Sequence, residues 1–69
     1  MQHHIHGEKL AYRINPAAAL LGLSRATIYR LIHAGELDLV KLSERASGIP
    51  RESLGRYAKA RSIPLPDGF

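Results

Sequence analysis

The stretch from Asn15 to Gly35, NPAAALLGLSRATIYRLIHAG, decides the fold. Apolar or small residues at Ala17, Ala18, Leu21, Leu23, Ile28, Leu31 and Ile32 recur at the period of amphipathic helices. The spacing therefore predicts two short helices that share one small core. Asn15 reads as the cap of the first helix, because its side-chain oxygen can accept a bond from a free amide. Pro16 suits the first turn, where its missing N–H would have no partner anyway. Gly22 reads as the left-handed residue that ends this helix, and Ser24 as the cap of the next, with Leu23 and Ile28 flanking it as a hydrophobic staple. Ala18 lets the two helices cross closely, and Leu21, Leu23, Ile28 and Leu31 fill the crossing. That is helix-turn-helix spacing.

The second helix leaves Arg25, Ala26, Thr27, Tyr29, Arg30 and His33 outside. These side chains are mostly cationic or hydrogen-bonding, which suits a phosphate-lined major groove. The competing reading is a helical hairpin whose polar face is only solvated. Cap, turn and basic face together favour double-stranded DNA.

Working outward, the second helix should stop at Ala34 and Gly35, where glycine supplies the left-handed cap. LDLVKL (Leu37 to Leu42) is β-prone and is followed by a polar turn, Ser43-Glu44-Arg45-Ala46-Ser47-Gly48, before Ile49 and Pro50. This reads as a small hairpin, the wing of a winged helix. If Leu37, Val40 and Leu42 touch the core, Lys41 faces out and Arg45 sits at or near the wing tip, within reach of a DNA backbone or minor groove. A solvated surface hairpin is the alternative.

Pro50 suits the first turn of a third helix, PRESLGRYAKAR, with Leu54, Tyr57 and Ala58 facing inward and Glu52, Arg56 and Lys59 outward. Gly55 weakens that helix by up to about 1 kcal/mol relative to alanine unless close packing needs it. The segment SIPLPDGF, with two prolines, cannot extend the helix. Before the first helix, LAYRI (Leu10 to Ile14) alternates weakly. Leu10, Tyr12 or Ile14 should help close the core, leaving Arg13 to face phosphate. The predicted fold class is mainly α with a small β-hairpin: three helices plus a wing over residues 10–61, a flexible tail over 1–9 and a C-terminal tail over 62–69.

Sixty-nine residues, 45% of them hydrophobic, suffice for one domain with a small core and leave no room for a second. The absence of cysteine excludes disulfides and cysteine-based zinc sites, so packing alone must hold the fold. No apolar run reaches the length of a membrane span and the N-terminus lacks a secretory layout, so a cytoplasmic protein without membrane contact is expected. Ten lysines and arginines against six carboxylates leave a formal charge of +4, which favours an anionic partner. His3, His4 and His6 have no accompanying carboxylate or cysteine cluster, so they read as part of a polar tail, with no metal or cofactor expected. No glycine-rich phosphate loop and no His–carboxylate pair appears in an ordered segment, and no enzymatic activity is expected.

Four segments in order carry a family resemblance: Ala17-Ala18 to Leu21-Gly22-Leu23-Ser24-Arg25, Thr27-Ile28-Tyr29-Arg30-Leu31-Ile32, Gly35-Glu36-Leu37, and Ile49-Pro50-Arg51-Glu52-Ser53-Leu54. Together they resemble the excisionase and MerR-like winged-helix superfamily over roughly residues 10 to 61. The segment Val40-Lys41-Leu42-Ser43-Glu44-Arg45-Ala46 also looks like the AlpA-type branch of small prophage and mobile-element regulators. The resemblance implies a recognition helix in the major groove and a wing at the adjacent minor groove, with DNA bending or promoter control as the output. Carried over by position, Ser24, Arg25, Thr27, Tyr29 and Arg30 are the helix candidates, joined by His33 from the exposed face. Lys41 and Arg45 are the wing candidates, and Arg13 flanks them. Many relatives instead have a glycine-containing shorter wing and an Arg-aromatic-Arg run where Ala46-Ser47-Gly48 stands here. With only residues 62–69 after the last helix, no ligand-sensing effector domain is expected.

The implied role is excisionase in a bacterial or phage-infected cell, associated with the nucleoid and partnered by an integrase or other recombinase. Copies would associate head-to-tail on DNA, the wing of one against the third helix of the next. An AlpA-type transcriptional regulator and a non-DNA protein-interaction module are the alternatives, and steep salt dependence separates DNA binding from the latter.

Overall fold

The computed structural model describes residues 10–69; the tail read over 1–9, with His3, His4 and His6, lies outside the described residues. Strand β1 (Ala11–Arg13) runs directly into α1 (Ile14–Leu21), and α2 (Arg25–His33) follows. Strands β2 (Val40–Ser43) and β3 (Ala46–Pro50) form the wing, and α3 (Arg51–Ala60) leaves the end of β3. All strand pairs are antiparallel in the order β1-β3-β2, so β3 is the central strand. The chain is a winged helix-turn-helix with a three-stranded sheet, one strand more than the sequence predicts.

Local signals account for the helix ends. Gly22 takes φ 70°, and the amides of Gly22 and Leu23 donate to the carbonyls of Ala19 and Ala18. The same double bond closes α2, where Gly35 has φ 80° and the amides of Gly35 and Glu36 donate to Ile32 and Leu31. Both are left-handed caps that satisfy the last carbonyls of a helix. Ser24 caps α2 as predicted: its Oγ accepts from the Thr27 amide at 3.1 Å. A third cap of this kind ends α3 on a non-glycine residue, Ser62, at φ 57°. There the amides of Ser62 and Ile63 donate to Lys59 and Ala58.

The predicted Asn15 cap is not made. Pairing of Arg13 with Gly48 carries β1 straight into the helix, so helical geometry begins at Ile14 and Asn15 falls inside the first turn. Arg13 takes the cap position without a side-chain bond, and the Asn15 side chain turns to α2. Pro16 does lie in the first turn.

The wing also departs from the prediction. The polar turn expected over Ser43 to Gly48 narrows to Glu44 and Arg45, and Ala46, Ser47 and Gly48 join β3 because both neighbouring strands pair with that segment. Of the three residues expected to reach the core, only Leu37 does. Val40 and Leu42 stay 38% and 46% exposed, because β2 is the outer strand and its register shifts between Lys41 and Ser43. Leu10 is likewise exposed, whereas Tyr12 and Ile14 are buried.

The core joins Ala17, Ala18 and Leu21 of α1, Ile28 of α2, Leu37, Ile49 of β3, and Leu54 and Ala58 of α3. Full burial of Ile28, Ile49 and Leu54 contributes roughly 1.5–3 kcal/mol for each side chain. Buried Ser53 anchors the loop before the wing, accepting from the Asp38 amide at 2.9 Å. Residues 62–69 do not extend α3; Ile63, Leu65 and Phe69 fold back against the core, and the Phe69 ring stacks on Tyr12 at 6.2 Å. A Cβ at Gly55 would meet Phe69 Cζ at 3.6 Å, an ordinary contact, so packing does not require glycine there.

Candidate nucleic-acid interface

Ile28 is buried under α2, which leaves Ser24, Arg25, Ala26, Tyr29, Arg30 and His33 exposed and Thr27 partly so. The polar groups on this face hold one another. Ser24 donates its hydroxyl proton to Thr27 Oγ1 at 2.9 Å, and the same oxygen accepts from Arg30 Nη2 at 3.1 Å. The His33 Nδ1–H donates to the Tyr29 carbonyl at 2.9 Å, which fixes the ring and turns Nε2 outward. Arg30 and His33 lie in the last turn of α2, and the Arg30 charge meets the negative end of the helix dipole there.

Arg25 is held differently. Its Nη1 donates to Asn15 Oδ1 at 2.8 Å, its Nη2 to the Tyr29 hydroxyl at 3.3 Å, and its Cζ lies 5.4 Å from the Tyr29 ring centroid. These contacts tie the start of α2 back to the start of α1. On the wing, Arg45 occupies the two-residue turn and Lys41 is exposed on β2. A cleft of about 480 Å³ opens between the start of α1, α2 and the wing, and Arg13, Asn15, Arg25, Tyr29, Arg45 and Ser47 line it. The fold thus brings Arg13, Arg25, Tyr29 and Arg45 together from three separate stretches of sequence. Ser24, Thr27, Arg30, His33 and Lys41 lie outside that cleft. Sequence reasoning missed the part taken by Asn15, since a contact between residues 15 and 25 leaves no periodic signal, and it missed Ser47.

Charge is divided across the molecule. On α3 and just beyond it, Arg56 pairs with Asp38 at 3.0 Å and Arg61 pairs with Glu36. These pairs are well exposed and stabilise little. Tyr57 first, and then Glu36, push the Arg61 pKa further above its usual value. Among the described residues no carboxylate pairs with Arg13, Arg25, Arg30, Lys41 or Arg45. The cations of α2 and the wing are exposed to solvent without such a partner.

No helix of the described residues is long and apolar enough to cross a membrane. Residues 11–62 match the profile of the helix-turn-helix domain family, a span that covers all three helices and the wing. No curated protein and no solved structure matches the chain. Both the match and the geometry assign this chain to the helix-turn-helix domain family, a family of DNA-binding folds.

Proposed function

We propose that this chain is a sequence-specific double-stranded DNA-binding protein of a prophage or other mobile element, acting as an excisionase that binds and bends DNA beside a recombinase. In this reading α2 enters the major groove and the wing lies over the adjacent minor groove. Ser24, Arg25, Thr27, Tyr29, Arg30 and His33 form the helix contribution, with Arg13, Lys41 and Arg45 at the flank and wing. The observation that carries the reading is the concentration of charge: five cations on α2, the wing and its flank lack a carboxylate partner among the described residues, whereas on α3 and just beyond it Arg56 and Arg61 are paired and Lys59 is not.

The excisionase role rests on the resemblance of residues 10 to 61 and on size. One recognition helix and one wing touch only about 600–1,000 Å², so specificity has to be shared with neighbouring copies or a recombinase. Exposed Leu39, Val40 and Leu42 near the wing supply apolar surface for a head-to-tail contact with α3 of the next copy, which makes an open array. The AlpA-like segment Val40 to Ala46 favours, as a second reading, a transcriptional regulator that uses the same DNA-binding face. Either role belongs in a bacterial or phage-infected cell, at the nucleoid.

Binding isotherms on single and tandem duplex sites test the reading, combined with a bend assay and an excision assay with the neighbouring recombinase. Four phosphate contacts, from Arg13, Arg25, Lys41 and Arg45, at about 0.9 ions each give a salt slope near −3.6, so affinity should fall about 150-fold between 50 and 200 mM salt. Tandem sites should bind more tightly per site than single ones, and Lys41→Ala should weaken all duplexes alike. Salt-independent binding would refute the DNA reading. Equal affinity per site, no bend and an effect on transcription alone would refute the excisionase role and support the regulator.

A further inference from the structure

We propose that the cleft between the start of α1, α2 and the wing seats one phosphodiester of the DNA backbone, and that Arg25 is its clamp and not a reader of bases. The proposal rests on the DNA-binding reading above and divides the labour within it.

Three arginines line one cleft of about 480 Å³: Arg13 from the end of β1, Arg25 from the first turn of α2 and Arg45 from the turn of the wing. None has a carboxylate partner among the described residues, and the remaining polar lining is neutral, from Asn15, Tyr29 and Ser47. Cations gathered this way repel one another until an anion enters. Small-molecule pockets are mostly apolar, and this lining is not.

Arg25 is also aimed. Of the five N–H donors of a guanidinium, one goes to Asn15 and one to Tyr29, which leaves three for a ligand. Both anchors are uncharged, so they orient the planar fork without neutralising it, and a fork of this kind matches a phosphate through paired bonds. The bond to Asn15 draws the side chain across to α1, beside the cleft wall, whereas Arg30 is held by Thr27 on α2 itself. Tyr29, as partner of Arg25 by hydrogen bond and ring, becomes a positioning residue. Base discrimination then falls to Ala26, Thr27, Arg30 and His33.

The two roles differ in what they do to different duplexes. Removing a phosphate-binding side chain weakens binding uniformly and lowers the salt slope, while removing a base-reading one relaxes discrimination. The test uses a duplex selected by the protein from a random pool, a scrambled duplex of the same length, and a set of selected duplexes each carrying one neutral methylphosphonate. Arg25→Gln is exposed and should fold normally, as checked by circular dichroism; Arg25→Lys, which keeps the charge but not the fork, serves as a second variant. We expect Arg25→Gln to lose about tenfold on both duplexes and to reduce the salt slope by about 0.9. The one methylphosphonate position that weakens wild-type binding through this cleft should have a smaller effect in the variant, because one of its cations is already gone. Arg45→Gln should blunt the same position, and Arg30→Gln should leave it fully sensitive. If wild type binds DNA but Arg25→Gln narrows the gap between selected and scrambled duplexes with its methylphosphonate pattern intact, Arg25 reads a base and the clamp is overturned. If wild type binds no duplex, the DNA reading itself falls and the clamp with it.

Discussion

Replacing Ser24 by alanine tests the junction that orients α2. The Ser24 oxygen accepts from the Thr27 amide at 3.1 Å, and its proton goes to Thr27 Oγ1 at 2.9 Å. Ser24 is exposed, so its truncation opens no cavity, and water can replace the hydroxyl–hydroxyl bond. What disappears is the cap, which costs about 1 kcal/mol. At roughly 0.05–0.15 kcal/mol per residue, a chain of this size has about 3–10 kcal/mol in all. Ser24→Ala should therefore remove between a tenth and a third of the stability and lower Tm by about 4–8 °C. Ser24→Gly should lose only a few tenths of a kcal/mol. Ser24→Asp keeps the cap and adds favourable charge at the start of α2, so its Tm should hold or rise. It also sets a negative charge beside Arg25 on the proposed DNA face, so duplex affinity should fall even as stability is kept. Thermal unfolding followed by far-ultraviolet circular dichroism gives the first quantity, and duplex titration of the folded variants the second. A Ser24→Ala melting curve within about 1 °C of wild type would refute the cap argument. Unchanged affinity in Ser24→Asp would show that this end of α2 faces away from DNA.

Two further substitutions probe the sheet and the end of α3. Gly48→Ala would bring a Cβ within 2.7 Å of the Tyr12 carbonyl and 2.8 Å of Leu42 Cδ1, so β1 and β3 must move apart; a loss of about 1–3 kcal/mol in chemical denaturation is expected, and a neutral result would contradict the register. Ser62→Gly relieves a left-handed backbone at φ 57° and should raise stability by up to about 1 kcal/mol, read as a higher Tm; a fall would mean that the serine side chain stabilises this cap.

The helix-turn-helix was legible from the sequence because its signals are local. Gly22, Ser24 and Gly35 act on amides and carbonyls three to five residues away, and Ile28 and Leu31 fall on one face through helical period alone. The exposed set on α2 followed from the same period. The Leu54, Ala58 stripe marked α3 in the same way, but Pro50, expected in its first turn, instead closes β3 by pairing with Ala11 and takes the cap position, so the helix begins at Arg51. What only the tertiary structure decided involves partners far apart in the chain. The pairing of Tyr12 with Ile49 makes Ala11 to Arg13 a strand, moves the start of α1 to Ile14 and so frees Asn15 to hold Arg25. Central placement of β3 turns Ala46 to Gly48 from a loop into strand and leaves Val40 and Leu42 on an outer edge, although their composition matches a core strand. Phe69 reaches Tyr12 across nearly the whole domain. The cleft of Arg13, Arg25 and Arg45 is a product of those same long-range contacts: period and capping set which side chains leave a helix, but packing between distant segments sets which of them meet.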